Sequence, residues 1–188
     1  VFRLQNEANL FIQDVVFDDL SMPNTPVVAT VRFEGELVVD RVTVKRTTAT
    51  QLVGVTSNSK FYANAFAGFF NTITQTASNM GSSHRRAFFQ ANGGGTEIYL
   101  QNSVFANNTA SILSVGNSAT GTMNHCSVGN LYSGYAAIVD STALQADLVN
   151  NAFQSLVESN DSGVGGGFFL RNPVIQNLNA QKNLFFLM

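Results

Sequence analysis

The chain has 188 residues, 45% hydrophobic but only 12% charged, with a net charge of −2, sixteen Phe, no Trp and a single Cys. So apolar and charge-poor a composition excludes a disordered chain, and the weak acidic balance excludes the basic footprint of a nucleic-acid binder. No apolar run approaches the roughly 18 residues of a membrane span, and one cysteine permits neither an internal disulfide nor Cys-rich zinc spacing, so no cofactor is expected.

In chain order, one phrase recurs: alternating apolar residues, an Asn or Asp, then an aromatic or Val. It opens as Leu10-Phe11-Ile12-Gln13-Asp14-Val15-Val16-Phe17 and returns over residues 37–44. Its clearest copy is Ile98-Tyr99-Leu100-Gln101-Asn102-Ser103-Val104-Phe105, followed by Met123-Asn124-His125-Cys126-Ser127-Val128 and Leu148-Val149-Asn150-Asn151-Ala152-Phe153. Taking the last residue of each copy as anchor gives Phe17, Val44, Phe66, Phe105, Val128 and Phe153, at intervals of 27, 22, 39, 23 and 25. A second apolar run follows each anchor, at 27–33, 51–55, 87–89, 112–115, 136–139 and 168–170. Turn-formers such as Asn107-Asn108-Thr109 and Gly116-Asn117-Ser118 separate the runs.

Short strands repeated at this period predict an all-β fold, a parallel β-helix of about seven coils, carried by one domain over residues 1–188. Alternation places Ile12, Val39, Leu100, Met123 and Leu148 on one inward ladder and the anchors on another. Asn102, Asn150 and Asp14 are expected to stack beside the turns, with Cys126 as a small buried hydrophobe. The interval of 39 predicts an irregular coil near residues 71–95, with added length over 71–86, and a second enlarged loop spans 158–167. Insertions in solenoids map to loops on one face, so His84, Arg85 and Arg86 are the candidate contact for an anion or partner. Gly93-Gly94-Gly95 and Gly165-Gly166-Gly167 have neither the spacing nor the following helix of a nucleotide loop. Asn107 and Asn160 each begin a glycosylation sequon in a predicted turn.

The strand–Asn–turn pattern, clearest from Gln101 to Ala110, resembles the repeats of right-handed parallel β-helices of the pectin-lyase-like superfamily. That fold hosts lyases, hydrolases, tailspikes, adhesins and structural proteins. The resemblance implies acidic clusters in the enzymes, and the residues here that would form one across two stacked coils are Asp14, Asp18, Asp19 and Asp40. His84 and His125 lack the flanking glycines of the hydrolase pattern.

The leading expectation is a non-catalytic structural or adhesive module in a larger extracellular or surface assembly. Its partners are other subunits, or further coils at the chain ends. The abrupt start at Val1 and the stop after Phe185-Phe186-Leu187-Met188 fit a processed chain or a piece of a longer one. The alternatives are a polysaccharide lyase or glycoside hydrolase, and a carbohydrate-binding β-helix without catalysis. The last predicts exposed aromatics such as Tyr62, Tyr99 or Tyr132 aligned on one face, with Tyr99 opposite in facing to Ile98 and Leu100. An organelle lumen or a viral particle stands as an alternative to an extracellular location.

Overall fold

The computed structural model describes residues 2–74, 87–131, 135–140, 143–154, 166–171 and 178–186. Among these there is no helix; every strand pairing is parallel, and three seven-stranded sheets run side by side as a β-solenoid. Each level contributes one strand to each sheet in turn. The first sheet stacks Phe2–Leu4, Ala29–Val31, Val53–Thr56, Ala87–Asn92, Ser111–Gly116, Tyr135–Asp140 and Gly166–Arg171. The second stacks Asn9–Gln13, Glu36–Asp40, Lys60–Asn64, Glu97–Gln101, Thr120–Asn124, Gln145–Val149 and Leu178–Gln181. The third stacks Val16–Asp18, Thr43–Lys45, Ala67–Phe69, Val104–Ala106, Ser127–Gly129, Ala152–Gln154 and Leu184–Phe186. A small fourth sheet joins Ser21–Met22, Thr48–Ala49 and Thr72–Ile73.

The recurrent phrase therefore folds as two strands, not one. It runs along the second sheet, bends at a single residue and enters the third. The bend residues Asp14, Arg41, Ala65, Asn102, His125, Asn150 and Lys182 all have φ between 51° and 56°. Left-handed backbone costs an ordinary L-residue about 1–2 kcal/mol, and Asn or Asp somewhat less. Except at Lys182 on the last level, each bend N–H donates to the last strand carbonyl of the next level: Asp14 to Asp40, Arg41 to Asn64, Ala65 to Gln101, Asn102 to Asn124. A second bend, after the third sheet, repeats the device with Asp19, Arg46, Phe70, Asn107 and Asn130. The stacked hydrogen bonds hold each bend in a conformation that it would not keep alone.

Inside these bends, side-chain amides replace backbone partners. Asn71 and Asn108 are fully buried. Thr47 N donates to Asn71 Oδ1 at 3.1 Å, and Asn71 N to Asn108 Oδ1 at 2.9 Å. The same two amides donate to the carbonyls of Val44 and Gly68. At the other bend Asn151 Oδ1 accepts from Cys126 N, and Asn183 Oδ1 from Asn151 N. Each amide thus satisfies backbone groups that the bend frees, where an orphan would cost about 1–3 kcal/mol.

The inward ladder pairs Ile12, Val39, Ala63, Leu100, Met123 and Leu148 in register, as the alternation predicts. The other inward ladder differs at one rung. Gly68, not Phe66, pairs with Val44 and Phe105. Phe66 sits in the bend, where its N–H donates to Ser103 Oγ. Its ring stacks on Phe105 at 5.9 Å and meets Phe89 edge-on at 5.3 Å. The missing side chain at Gly68 is the space into which the Phe105 ring leans. The added length predicted near residues 71–95 falls between Thr72–Ile73 and Ala87–Asn92, both of which keep ladder register; residues 75–86 lie outside the described set.

A Cβ at position 68 would lie 2.9 Å from Phe105 Cδ1. Gly68→Ala should therefore lower stability by about 1–3 kcal/mol in urea unfolding. Combined with Phe105→Leu, the loss should fall short of the two single losses added together. Strict additivity would contradict the contact.

Candidate binding face

Alternation turns one row of the second sheet outward: Phe11, Val38, Tyr62, Tyr99, Thr122 and Asp147 stand in register. Tyr99 faces away from Ile98 and Leu100, both fully buried. Tyr62 and Tyr99 stack with ring centroids 5.0 Å apart and planes 8° from parallel. That distance is close to the ~4.8 Å level spacing, so the backbone ladder itself sets the ring stack. Phe11 is 58% exposed. Val38 is short, and the row is recessed above it. The recess has a volume of about 390 Å³, with Phe11, Val38, Asp40, Tyr62, Asn64, Tyr99 and Gln101 on its walls.

Polar rows flank the aromatic row on both sides. On one side stand Glu36, Lys60 and Glu97 in register. Tyr99 donates its hydroxyl to Glu97 Oε2 at 3.3 Å, and Lys60 Nζ lies 3.7 Å from the same oxygen. Partial burial and the negative charge of Glu97 raise the phenols of Tyr62 and Tyr99 above the ordinary tyrosine value, so both remain neutral donors. On the other side stand Gln13, Asp40, Asn64 and Gln101. Asn64 Nδ2 donates to Asp40 Oδ1 at 2.8 Å, and Asn64 Oδ1 accepts from Asn102 Nδ2 at 2.9 Å, which fixes the amide.

The four acids singled out in the sequence divide into two groups. Arg41 grips Asp14 with two hydrogen bonds, at 2.6 and 2.9 Å, and also donates to Asp40. Asp18 Oδ2 accepts from Arg46 at 2.5 Å and lies 3.3 Å from Lys45 Nζ, while its Oδ1 is buried without a hydrogen-bond partner. The two groups stand at opposite ends of the strand Val16–Asp18. Asp19 is exposed at the second bend. Asp14–Arg41 and Asp18–Arg46 are acid–base pairings between adjacent levels, which makes Arg41 and Arg46 stackable at left-handed bends.

His125 is exposed at a bend. Asn107 stands at the second bend, where its N–H donates to the Gly129 carbonyl and its Oδ1 accepts from Asn130 Nδ2 at 3.2 Å. Thr109 of that sequon donates its hydroxyl to the Asn71 carbonyl at 3.3 Å. Cys126 is buried as expected, its thiol directed at the Leu100 carbonyl at 3.4 Å. Burial pushes that thiol up to about 11, which leaves it an inert core group at neutral pH. His84, Arg85, Arg86, Asn160 and Tyr132 lie outside the described residues. Phe11, Val38, Asn64 and Gln101 escaped the sequence reading. The signal was there in the alternation Leu10-Phe11-Ile12, which sends Phe11 outward.

No group of three or more His, Cys, Asp and Glu side chains is placed to hold a metal ion among the described residues. No helix among them is long and apolar enough to cross a membrane. No protein-family model, curated protein or solved structure matches this chain.

The guanidinium of Arg41 holds the Asp14 carboxyl below the usual aspartate value. A depressed carboxyl stabilises the fold above its unfolded-state value, and that contribution is lost as pH falls through the folded one. By carbon-detected NMR titration Asp14 should titrate below an ordinary aspartate and return to the ordinary range in Arg41→Met. An unchanged titration in the variant would contradict the pairing.

Proposed function

We propose that this chain is a non-catalytic scaffold of adhesive type, a β-helix of the pectin-lyase-like kind that works as one layer of a larger extracellular or surface assembly. The observation that carries the reading is the state of the two outermost levels. Leu4 and Ile12 remain buried on the first level, but other inward positions at the two outermost levels are more open than their ladder neighbours. Phe185 is 55% exposed, whereas Val44, Phe105, Val128 and Phe153 on the same ladder are at most 2% exposed. At the opposite edge Leu10 and Phe17 are only partly buried, while Leu37 and Val44 beside them are fully buried. Covering such a side chain contributes about 1.5–3 kcal/mol. A neighbouring subunit stacked on either end supplies that cover.

The acids support the same reading over the hydrolase alternative. Asp14 and Asp18 are each engaged by a base from the next level and Asp40 by the neighbouring Arg41, and the Asp14 carboxyl is held ionised. A glycosidase needs a carboxyl that keeps its proton near neutral pH. The kinship with pectin-lyase-like β-helices is supported by the parallel three-sheet stack and by the buried Asn71–Asn108 ladder. The sequon at Asn107 and the location outside the cell belong to this proposal too.

Sedimentation of the 20.2 kDa chain across the micromolar to millimolar range tests it. The expected result is concentration-dependent association that Phe185→Asp reverses. A wild-type chain that stays monomeric at every concentration would count against the assembly reading.

A further inference from the structure

The recess over Val38 is a slot between aromatic walls, and its surroundings define what fits. Phe11 and Tyr62 stand on strands two levels apart, about 9.6 Å, with only Val38 between them. A saturated six-membered ring in van der Waals contact with an aromatic face on either side needs about 8 Å between those faces. The rings present electron-rich faces, which attract the polarised C–H bonds on the flat side of a sugar. The rim supplies hydrogen bonds for hydroxyls. Among the described residues, the Tyr62 hydroxyl and the Gln101 amide make no hydrogen bond, and the fixed Asn64 amide has a second N–H to give. A volume of about 390 Å³ accommodates a short sugar segment.

Charge narrows the class. Around the slot Asp14, Asp40, Glu36 and Glu97 outnumber Arg41 and Lys60. The field is negative, which disfavours a polyuronate or a sulfated glycan and leaves neutral sugars. We propose that the outward face of the second sheet binds a neutral polysaccharide, one hexose ring held between Phe11 and Tyr62 over Val38 and its neighbour resting against Tyr99. The proposal rests on the adhesive reading and names its ligand class.

The test is a titration of the chain with neutral hexasaccharides of β-linked glucose and of β-linked mannose, with hexagalacturonate in parallel. The chain holds four tyrosines and no tryptophan, so tyrosine emission reports the face alongside calorimetry. Saturable binding of a neutral probe is expected. Val38→Phe, which fills the slot, and Tyr62→Ala, which removes a wall, should each weaken it about tenfold or more, with the far-ultraviolet circular dichroism unchanged. Failure of every neutral probe to bind, tighter binding of hexagalacturonate, or full affinity in a folded Val38→Phe chain would overturn the proposal. Mass spectrometry of the bound probe separates the two readings. An intact hexasaccharide supports both; a cleaved one overturns the non-catalytic reading, whereas absence of binding overturns only the slot.

Discussion

The structure depends on one constraint: at every level the backbone must turn through left-handed residues, and only the level beside it makes that turn affordable. Arg41, Ala65, His125 and Lys182 share a φ near +50° with Asp14, Asn102 and Asn150. An isolated alanine or arginine would abandon that conformation at a cost of about 1–2 kcal/mol for keeping it. In the stack, the N–H of every one of these bends but Lys182 is caught by the carbonyl of the next level. The buried amides of Asn71, Asn108 and Asn151 close the bend from within. Bend and ladder are thus mutually conditional, as in other one-dimensional repeats where most stability resides between neighbours.

From that repeat the outer surface follows. In-register pairing converts a single outward position into a row, so the side-chain type at each level writes the surface directly. Tyr62 and Tyr99 become a ring stack because they are neighbours in the ladder, and Val38 becomes a recess because its neighbours are aromatic. Opposite charges on successive levels, Asp14 with Arg41 and Asp18 with Arg46, steady exposed bends. Pairs this exposed contribute modestly to stability. Their chief effect is on position, because they place both acids against cations.

What could be read from the sequence divides along the same physical line. Period-two alternation made the ladder of Ile12, Val39, Leu100, Met123 and Leu148 legible, and Asp14, Asn102 and Asn150, expected to stack beside the turns, prove to be the bend residues themselves, a place the tolerance of Asn and Asp for left-handed backbone suits. Arg41, Ala65 and His125 occupy the same bends with no such preference, since tertiary hydrogen bonds override it. Phe66 misleads for a related reason. The largest apolar residue of its phrase looks like the ladder rung, yet the rung is Gly68 and the Phe105 ring fills the gap. The aromatic face was half legible: the facing of Tyr99 follows from alternation, but its partnership with Tyr62 and the recess beside Phe11 need register across levels, which single-strand patterns do not carry.

Register is the central claim, and cysteine cross-linking reads it most directly. In a Cys126→Ala background, Thr43→Cys with Ala67→Cys places the two thiols on paired outward positions of the third sheet, within the reach of a disulfide. Thr43→Cys with Ala65→Cys tests the competing register anchored on Phe66. The account predicts rapid, near-complete oxidation of the first pair and little of the second. Preferential oxidation of the Thr43/Ala65 pair would contradict it.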